Sequence, residues 1–314
     1  MKRSPRISGS PNSPRRGSPR SAAERRGAFL SRERDPLTPE EKAQAVKTLA
    51  PHIYPGKAGQ SVVLQGASLG SKDSAHDVFF AINDQHPQGP VAIKRYRRPR
   101  NADHELNAIA SAKERGFLTL QPVGEGVFPL GDLGYALVTE RVPNFKTMNQ
   151  VGWQNYYVGE KEYEGIAATL RNISGFVGTM HKAGIIHHDL QMKNIGQVPP
   201  NKFVLFDLEN TQFYDPETAD YVFHDWCAAD LGDMVTSLVS HGYLSDTTDH
   251  LFTEELTNNV LGAYMEANPS DAVFDAWDGI VANAIHERHY GNRAMVGSAM
   301  GHLMAADMVA APAR

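Results

Sequence analysis

Ile185-Ile186-His187-His188-Asp189-Leu190-Gln191-Met192-Lys193-Asn194 is the stretch on which the reading of this chain turns. Two β-branched residues lead into it, so a short buried strand gives way to a tight polar loop. Asp189 and Asn194 stand five residues apart. A loop of that size can hold a carboxylate beside an acceptor hydroxyl and an amide oxygen near a cation. His181, His187 and His188 raise a metal-ligand reading, but adjacent histidines on one loop rarely face a single ion. His187 reads better as a packed, hydrogen-bonded strut of the loop.

Downstream, Phe203-Val204-Leu205-Phe206-Asp207-Leu208-Glu209 is an apolar strand ending in two acids one residue apart. Packing does not account for carboxylates there, whereas hard oxygen ligands for Mg²⁺ do. Upstream, Val91-Ala92-Ile93-Lys94 sets a lysine on an apolar strand, where its ammonium must reach either solvent or an anion. Eleven residues further on, Glu105 shares a helical face with Leu106 and offers a counter-ion. Glu114 is the other partner available, though it lies near the helix end.

Around these segments the periodicity predicts a small β-rich part followed by a larger helical one. Thr38-Pro39-Glu40-Glu41 opens a helix with a capping box, expected to stop near Leu49, before Pro51. Strand-like runs follow at Ser61–Leu64, Asp77–Ile82 and Pro90–Tyr96, punctuated by Gly66, Gly70, Pro87 and Gly89 in the manner of an antiparallel meander. A helix over Ala102–Arg115 and strands at Val123–Phe128 and Tyr135–Arg141 complete this part. From Gly165 a long apolar stripe runs to Gly184. Beyond the loop region, Ala228–Ser240, Thr253–Glu266 and Ala272–His289 read as helices.

His187-x-Asp189-Leu190-x-x-x-Asn194 resembles the catalytic loop of the protein-kinase-like superfamily. Val91-Ala-Ile-Lys94 is similar to its nucleotide-binding strand, and Asp207 to its metal-binding aspartate. Leu137–Val142 resembles the hinge between lobes, and Ala228-Ala-Asp230-Leu231 the helix whose aspartate braces the catalytic loop. The likeness covers residues 58–240. It implies a bilobal α+β fold with an N-lobe over 36–142 and a helical C-lobe over 143–314, and a phosphotransferase using ATP and Mg²⁺. It implies that Lys94 contacts the α/β-phosphates with Glu105 as counter-ion. Asp189 would take or orient the acceptor proton, and Lys193 would add positive charge. Asn194 and Asp207, with Glu209 as a further acid, would hold the metal. Backbone at Glu140 and Val142 would read adenine, and Gly66, Ser68, Gly70 and Ser71 would cover the phosphates.

The pattern departs from the family in three places. The glycine loop lacks its third glycine, Asp207 is followed by Leu208-Glu209 rather than Phe-Gly, and Ala-Pro-Glu is missing between Asp207 and Asp230. Those departures resemble compact members: RIO-type atypical kinases, lipopolysaccharide-core sugar kinases and aminoglycoside phosphotransferases. An atypical Ser/Thr protein kinase is the first expectation. A small-molecule kinase of a sugar, lipid core or aminoglycoside is the second, and a pseudokinase scaffold the third.

Composition sets the frame. The 314 residues are 41% hydrophobic and 21% charged, which suits a folded body and excludes a wholly disordered chain. A single cysteine, Cys227, rules out internal disulfides and Cys-rich zinc modules and fits a reducing compartment; it reads as a small buried residue. No apolar run reaches the length of a membrane span, since His302 and Asp307 interrupt the nearest, Ala294–Ala311. A cytoplasmic protein is expected, with delivery into another cell left open. Residues 1–35 carry ten Lys/Arg against three acids, a net of +7, leaving −12 on the remainder of a chain of formal charge −5. With four Ser-Pro pairs and few large apolar residues, this arm is expected to be disordered. It would engage an anionic partner, accept phosphate, or fold back on the acidic body.

Overall fold

Thr38 caps the first helix as the sequence predicts. Its hydroxyl accepts from the Glu41 N–H at 3.2 Å, and the Glu41 carboxylate accepts from the Thr38 N–H at 2.8 Å. This helix, α1 (Pro39–Ile53), opens a computed structural model describing residues 37–54, 63–65, 78–82, 89–142, 146–148, 163–198, 202–217, 221–240 and 248–290. The 1–35 arm, Gly66, Ser68, Gly70, Ser71 and the Ala294–Ala311 run lie outside the described residues. Contrary to expectation, α1 passes through Pro51 to Ile53. Pro51 faces solvent and forfeits one backbone hydrogen bond. Leu49, Ala50, Ile53 and Tyr54 are all buried around it, and each large apolar side chain contributes about 1.5–3 kcal/mol by leaving water. Burial wins.

The expected meander forms one antiparallel five-stranded sheet from β1 (Val63–Gln65), β2 (Val78–Ile82), β3 (Val91–Tyr96), β4 (Pro122–Pro129) and β5 (Tyr135–Glu140), in the order β1-β2-β3-β5-β4. Alternation along β3 divides its side chains between two cores. Val91 and Ile93 pack with Leu49 and Ile53 of α1 and with Tyr54 just beyond it, whereas Tyr96 enters the core shared with the helical part. Lys94 is in phase with Tyr96 and paired in register with Leu137, so it stands on that second face. There it meets α2 (Pro99–Glu114), which starts three residues before the expected Ala102 because Pro99 fits the first helical position.

The helical part is threaded by short strands. β6 (Lys146–Thr147), β8 (Ile195–Val198) and β9 (Lys202–Leu205) form one small sheet, and β7 (Ile185–Ile186) pairs with β10 (Gln212–Phe213). Between them runs α3 (Tyr163–Lys182), the predicted apolar stripe. It packs on α6 (Gly262–Ala267) so closely that a Cβ on Gly178 would come within 2.8 Å of both the Ala267 Cβ and the Tyr264 carbonyl oxygen. α4 (Tyr221–Ser240) packs along α7 (Asp271–Tyr290). α4 starts seven residues before the expected Ala228, carrying buried Phe223 and Cys227 into the core. The single helix expected over Thr253–Glu266 is instead α5 (Asp249–Leu256), a π-helical turn over Thr257–Leu261, and α6. Buried Asn259 in that turn accepts from Arg171 Nη1 at 2.5 Å and donates to Glu255 at 2.6 Å, bonds that local periodicity does not encode. The fold is the expected α+β arrangement, β-sheet first and helices after. Among the described residues no helix is long and apolar enough to cross a membrane.

Candidate active site

Lys94 projects from β3 into a nest of acids. Its Nζ lies 2.7 Å from Glu105 Oε2 and 3.5 Å from Glu209 Oε2, and it also pairs directly with Asp207 Oδ1. Tyr96, two residues on, donates its hydroxyl to Glu105 Oε2, and Lys94 Nζ lies 5.3 Å from the Tyr96 ring centroid. Glu105 therefore comes to Lys94 from α2, whereas Glu114 is exposed at the helix end. Burial opposes the Lys94 charge, but the Asp207, Glu105 and Glu209 carboxylates outweigh it and hold the ammonium above its ordinary value. Burial pushes Glu105 the other way, toward its neutral form, only partly offset by Lys94.

Carboxylate oxygens of Glu105, Asp207 and Glu209 all lie within 4.8 Å of one another. Three acids facing one ammonium leave an excess of negative charge, which a divalent cation bound through hard oxygens would neutralise. Asp207 sits at φ +60°, one of two non-glycine residues at positive φ among those described. The other is His188, at φ +59°. His188 lies within the 185–194 loop and Asp207 follows β9, and backbone held out of its ordinary wells at these points needs outside support.

α4 supplies that support at two points. Asp230, buried on α4, accepts from the His187 N–H at 2.6 Å and the His188 N–H at 2.8 Å, immediately before Asp189. Two helical turns later, Ser237 Oγ accepts from the Met192 N–H at 2.9 Å and donates to the Met234 carbonyl at 2.8 Å. Within the loop, Asn194 Nδ2 donates to the Asp189 carbonyl at 2.9 Å, and Gln191 Nε2 donates to Asp189 Oδ1 at 2.7 Å. With its Nδ2 so committed, the atom Asn194 would offer a cation is Oδ1. His187 Nε2 lies 3.0 Å from the Phe206 carbonyl and ties the loop to the residue before Asp207.

Behind Asp230 the polar groups continue inward. His181 Nε2 lies 3.4 Å from Asp230 Oδ2, and Nδ1 lies 2.8 Å from the Tyr264 hydroxyl. Despite its burial, Asp230 is held below the usual carboxylate range by His181 and by His187 with its backbone N–H. The Tyr264 oxygen in turn accepts from Asn268 Nδ2 at 3.0 Å. Cys227 borders this chain, and burial pushes its thiol up to about 12, as an inert core residue.

Arg115, at the end of α2, donates from Nη1 to the Ala183 carbonyl at 2.5 Å and the Tyr214 carbonyl at 3.0 Å. It thereby fastens the helix bearing Glu105 to the backbone before and after the loop. Lys94, Glu105, Asp207 and Glu209 are thus assembled in one cluster, and Asp189 and Asn194 in the adjoining loop. Lys193 is exposed on that loop. Glu140 is exposed at the end of β5 and its N–H is committed to the Gln121 carbonyl at 2.8 Å, while Val142 is half-buried just beyond. Tyr96, Arg115, Gln191 and Ser237 had no place in the sequence reading. Only Ser237 carried a signal, its spacing of seven residues from Asp230 on one helix face.

Comparison with curated protein sequences gives no significant match. Among solved structures, WaaP in complex with acyl carrier protein aligns with a TM-score of 0.48 at 18% identity, over 72% of this chain and 88% of that one. Residues 93–258 match the lipopolysaccharide kinase (Kdo/WaaP) family. That span runs from the residue before Lys94 through the catalytic loop, the Asp207 turn and α4, and covers more than half of the chain. The chain belongs to the lipopolysaccharide kinase (Kdo/WaaP) family, kinases that transfer a phosphoryl group to a hydroxyl.

Proposed function

We propose that this protein transfers the γ-phosphate of ATP, with Mg²⁺, to a hydroxyl on a sugar or lipid-core acceptor. The observation that carries the reading is the meeting of Lys94, Glu105 and Asp207 beside a loop bearing Asp189 and Asn194, within the span matched to the family. That match favours a sugar acceptor over the protein Ser/Thr acceptor placed first from sequence.

Mg²⁺, when bound, would supply positive charge that offsets the charge developing on the transferred phosphoryl group. Asp207, Glu209 and Asn194 Oδ1 are the groups to hold it. Lys94 would exchange part of its carboxylate contact for the α/β-phosphates while Glu105 keeps it in place. Asp189 would orient the acceptor hydroxyl and receive its proton. Lys193, exposed beside Asn194, would add positive charge where the acceptor approaches. The Glu140 N–H is engaged by the Gln121 carbonyl, so other backbone groups of Glu140 and Val142 would make the contact to adenine at the hinge. Nearly all of this is positioning and electrostatics, which phosphoryl transfer chiefly requires.

The test is incubation of full-length protein with Mg·[γ-³²P]ATP and three acceptors: lipopolysaccharide core oligosaccharide, an aminoglycoside, and the protein itself read by intact mass. Label on the oligosaccharide, lost in Asp189→Asn, is the expected result. Label confined to the protein's own Ser-Pro arm would replace the sugar acceptor with a protein one. Label on none of them, with no ATP consumed, would overturn the reading.

A further inference from the structure

Gln191 donates directly to the Asp189 carboxylate, at 2.7 Å from Nε2 to Oδ1. Its own backbone has little freedom. The Gln191 N–H donates to the Asp189 carbonyl at 2.8 Å, and the Gln191 carbonyl accepts from the Asn194 N–H at 2.8 Å. The next residue, Met192, is fully buried and anchored through its N–H to Ser237 Oγ at 2.9 Å. A primary amide offers donors in a fixed plane, so a bond to one carboxylate oxygen also sets the rotation of the carboxylate about its Cβ–Cγ bond. A charged acceptor makes that bond stronger than a neutral pair would be.

We infer that Gln191 is a positioning residue that turns the Asp189 carboxylate toward the acceptor hydroxyl, held in place by Ser237 of α4 through Met192. This rests on the phosphotransferase reading in which Asp189 meets the acceptor. α4 thereby acts on the loop twice: Asp230 fixes the backbone leading into Asp189, and Ser237 fixes the residue following Gln191. Proton transfer depends on the base lying within hydrogen-bond reach in the right direction, and misplacement by about 1 Å costs on the order of a hundredfold in rate. Gln191 itself takes and gives no proton.

The experiment compares wild type with Gln191→Met, which keeps the length and loses the donor, Gln191→Glu, which keeps the shape and sets a second carboxylate acceptor against Asp189, and Gln191→Asn, which retains a shorter amide. Turnover of Mg·ATP with water as acceptor and the Kd for Mg·ADP are measured for each. About a tenfold or greater loss of kcat is expected in Gln191→Met and Gln191→Glu, with the nucleotide Kd within about twofold and partial recovery in Gln191→Asn. Ser237→Ala should lower kcat in the same direction, by less. Unchanged kcat in Gln191→Met, or parallel loss of kcat, nucleotide affinity and Tm, would overturn the inference. A wild type that neither hydrolyses ATP nor labels any of the three acceptors would instead count against the phosphotransferase reading. A readout independent of turnover keeps the two apart: the Gln191 side-chain amide proton, assigned by its absence in Gln191→Met, should move upfield in Asp189→Ala. A resonance that stays in place would sink the inference by itself.

Discussion

Lys94 illustrates how a single side chain can carry opposing demands. It is largely withdrawn from solvent, which disfavours its charge, yet three carboxylates converge on it and keep it protonated. Lys94→Met would leave Glu105, Asp207 and Glu209 facing one another without compensation. A loss of about 3 kcal/mol in unfolding free energy is expected, because breaking a buried ion pair strands its partners. Mg²⁺ should restore part of that loss in Lys94→Met and change wild type less, which urea melts with and without the ion will read. Asp230 yields a pH prediction of definite sign. Its folded-state pKa is depressed, so its contribution is present above the unfolded value near 4 and is lost as pH falls below it. Asp230→Asn should cost about 2 kcal/mol at pH 7 through its weakened bonds to the His187 and His188 amides. The gap to wild type should close as urea denaturation is repeated below about pH 4.

At the scale of elements, the catalytic loop depends on what α3 and α4 do at its two ends. α3 ends at Lys182, and Gly184 turns the chain into the loop at φ +75°. A Cβ there would lie 2.2 Å from the Tyr214 carbonyl oxygen, on the strand connection that also accepts from Arg115. Gly184→Ala therefore combines backbone strain with a collision, and it should destabilise by more than about 1 kcal/mol. Loss of Tm accompanied by loss of ATP turnover is the expected pair of results; a neutral Tm would show that the β7–β10 region yields easily. The π-turn between α5 and α6 belongs to this scale too. It accommodates Asn259 against Arg171, and Trp277 Nε1 donates to Thr257 Oγ1 at 3.1 Å.

Across the whole molecule two cores meet at the sheet. One joins α2 to the helical part, and the other is formed by α1 against the opposite sheet face. The family match begins at Ile93, so α1 lies outside the matched span although Leu49, Ile53 and Tyr54 are buried in the second core. Removing residues 1–35 should leave Tm nearly unchanged, since a segment with ten Lys/Arg, four Ser-Pro pairs and few large apolar residues has little apolar surface to bury. Removing residues 1–54 should lower it sharply. The Leu49 and Ile53 positions alone are worth about 2–5 kcal/mol each when truncated to alanine. Thermal melts of the two truncations decide the matter, and equal Tm values would mean that α1 is dispensable.

The sequence alone determined much of the local architecture and most of the cluster. Thr38's capping box, the alternation in β3 and the stripe on α3 are short-range patterns, because a helix or strand repeats its exposure every few residues. The spacing from His187 to Asn194, with Lys94 and Asp207 on either side, marked the loop and its neighbours, since short polar motifs between apolar strands are local as well. What only the tertiary structure decided depends on contacts between segments distant in the chain. The passage of α1 through Pro51 follows from burial against a sheet that begins further on. The π-turn follows from Arg171 on another helix. The hold of Arg115 on Ala183 and Tyr214 and the grip of Ser237 on Met192 each join residues that no period connects. Hydrogen bonds of that kind are set by packing direction, and packing direction is a property of the assembled fold.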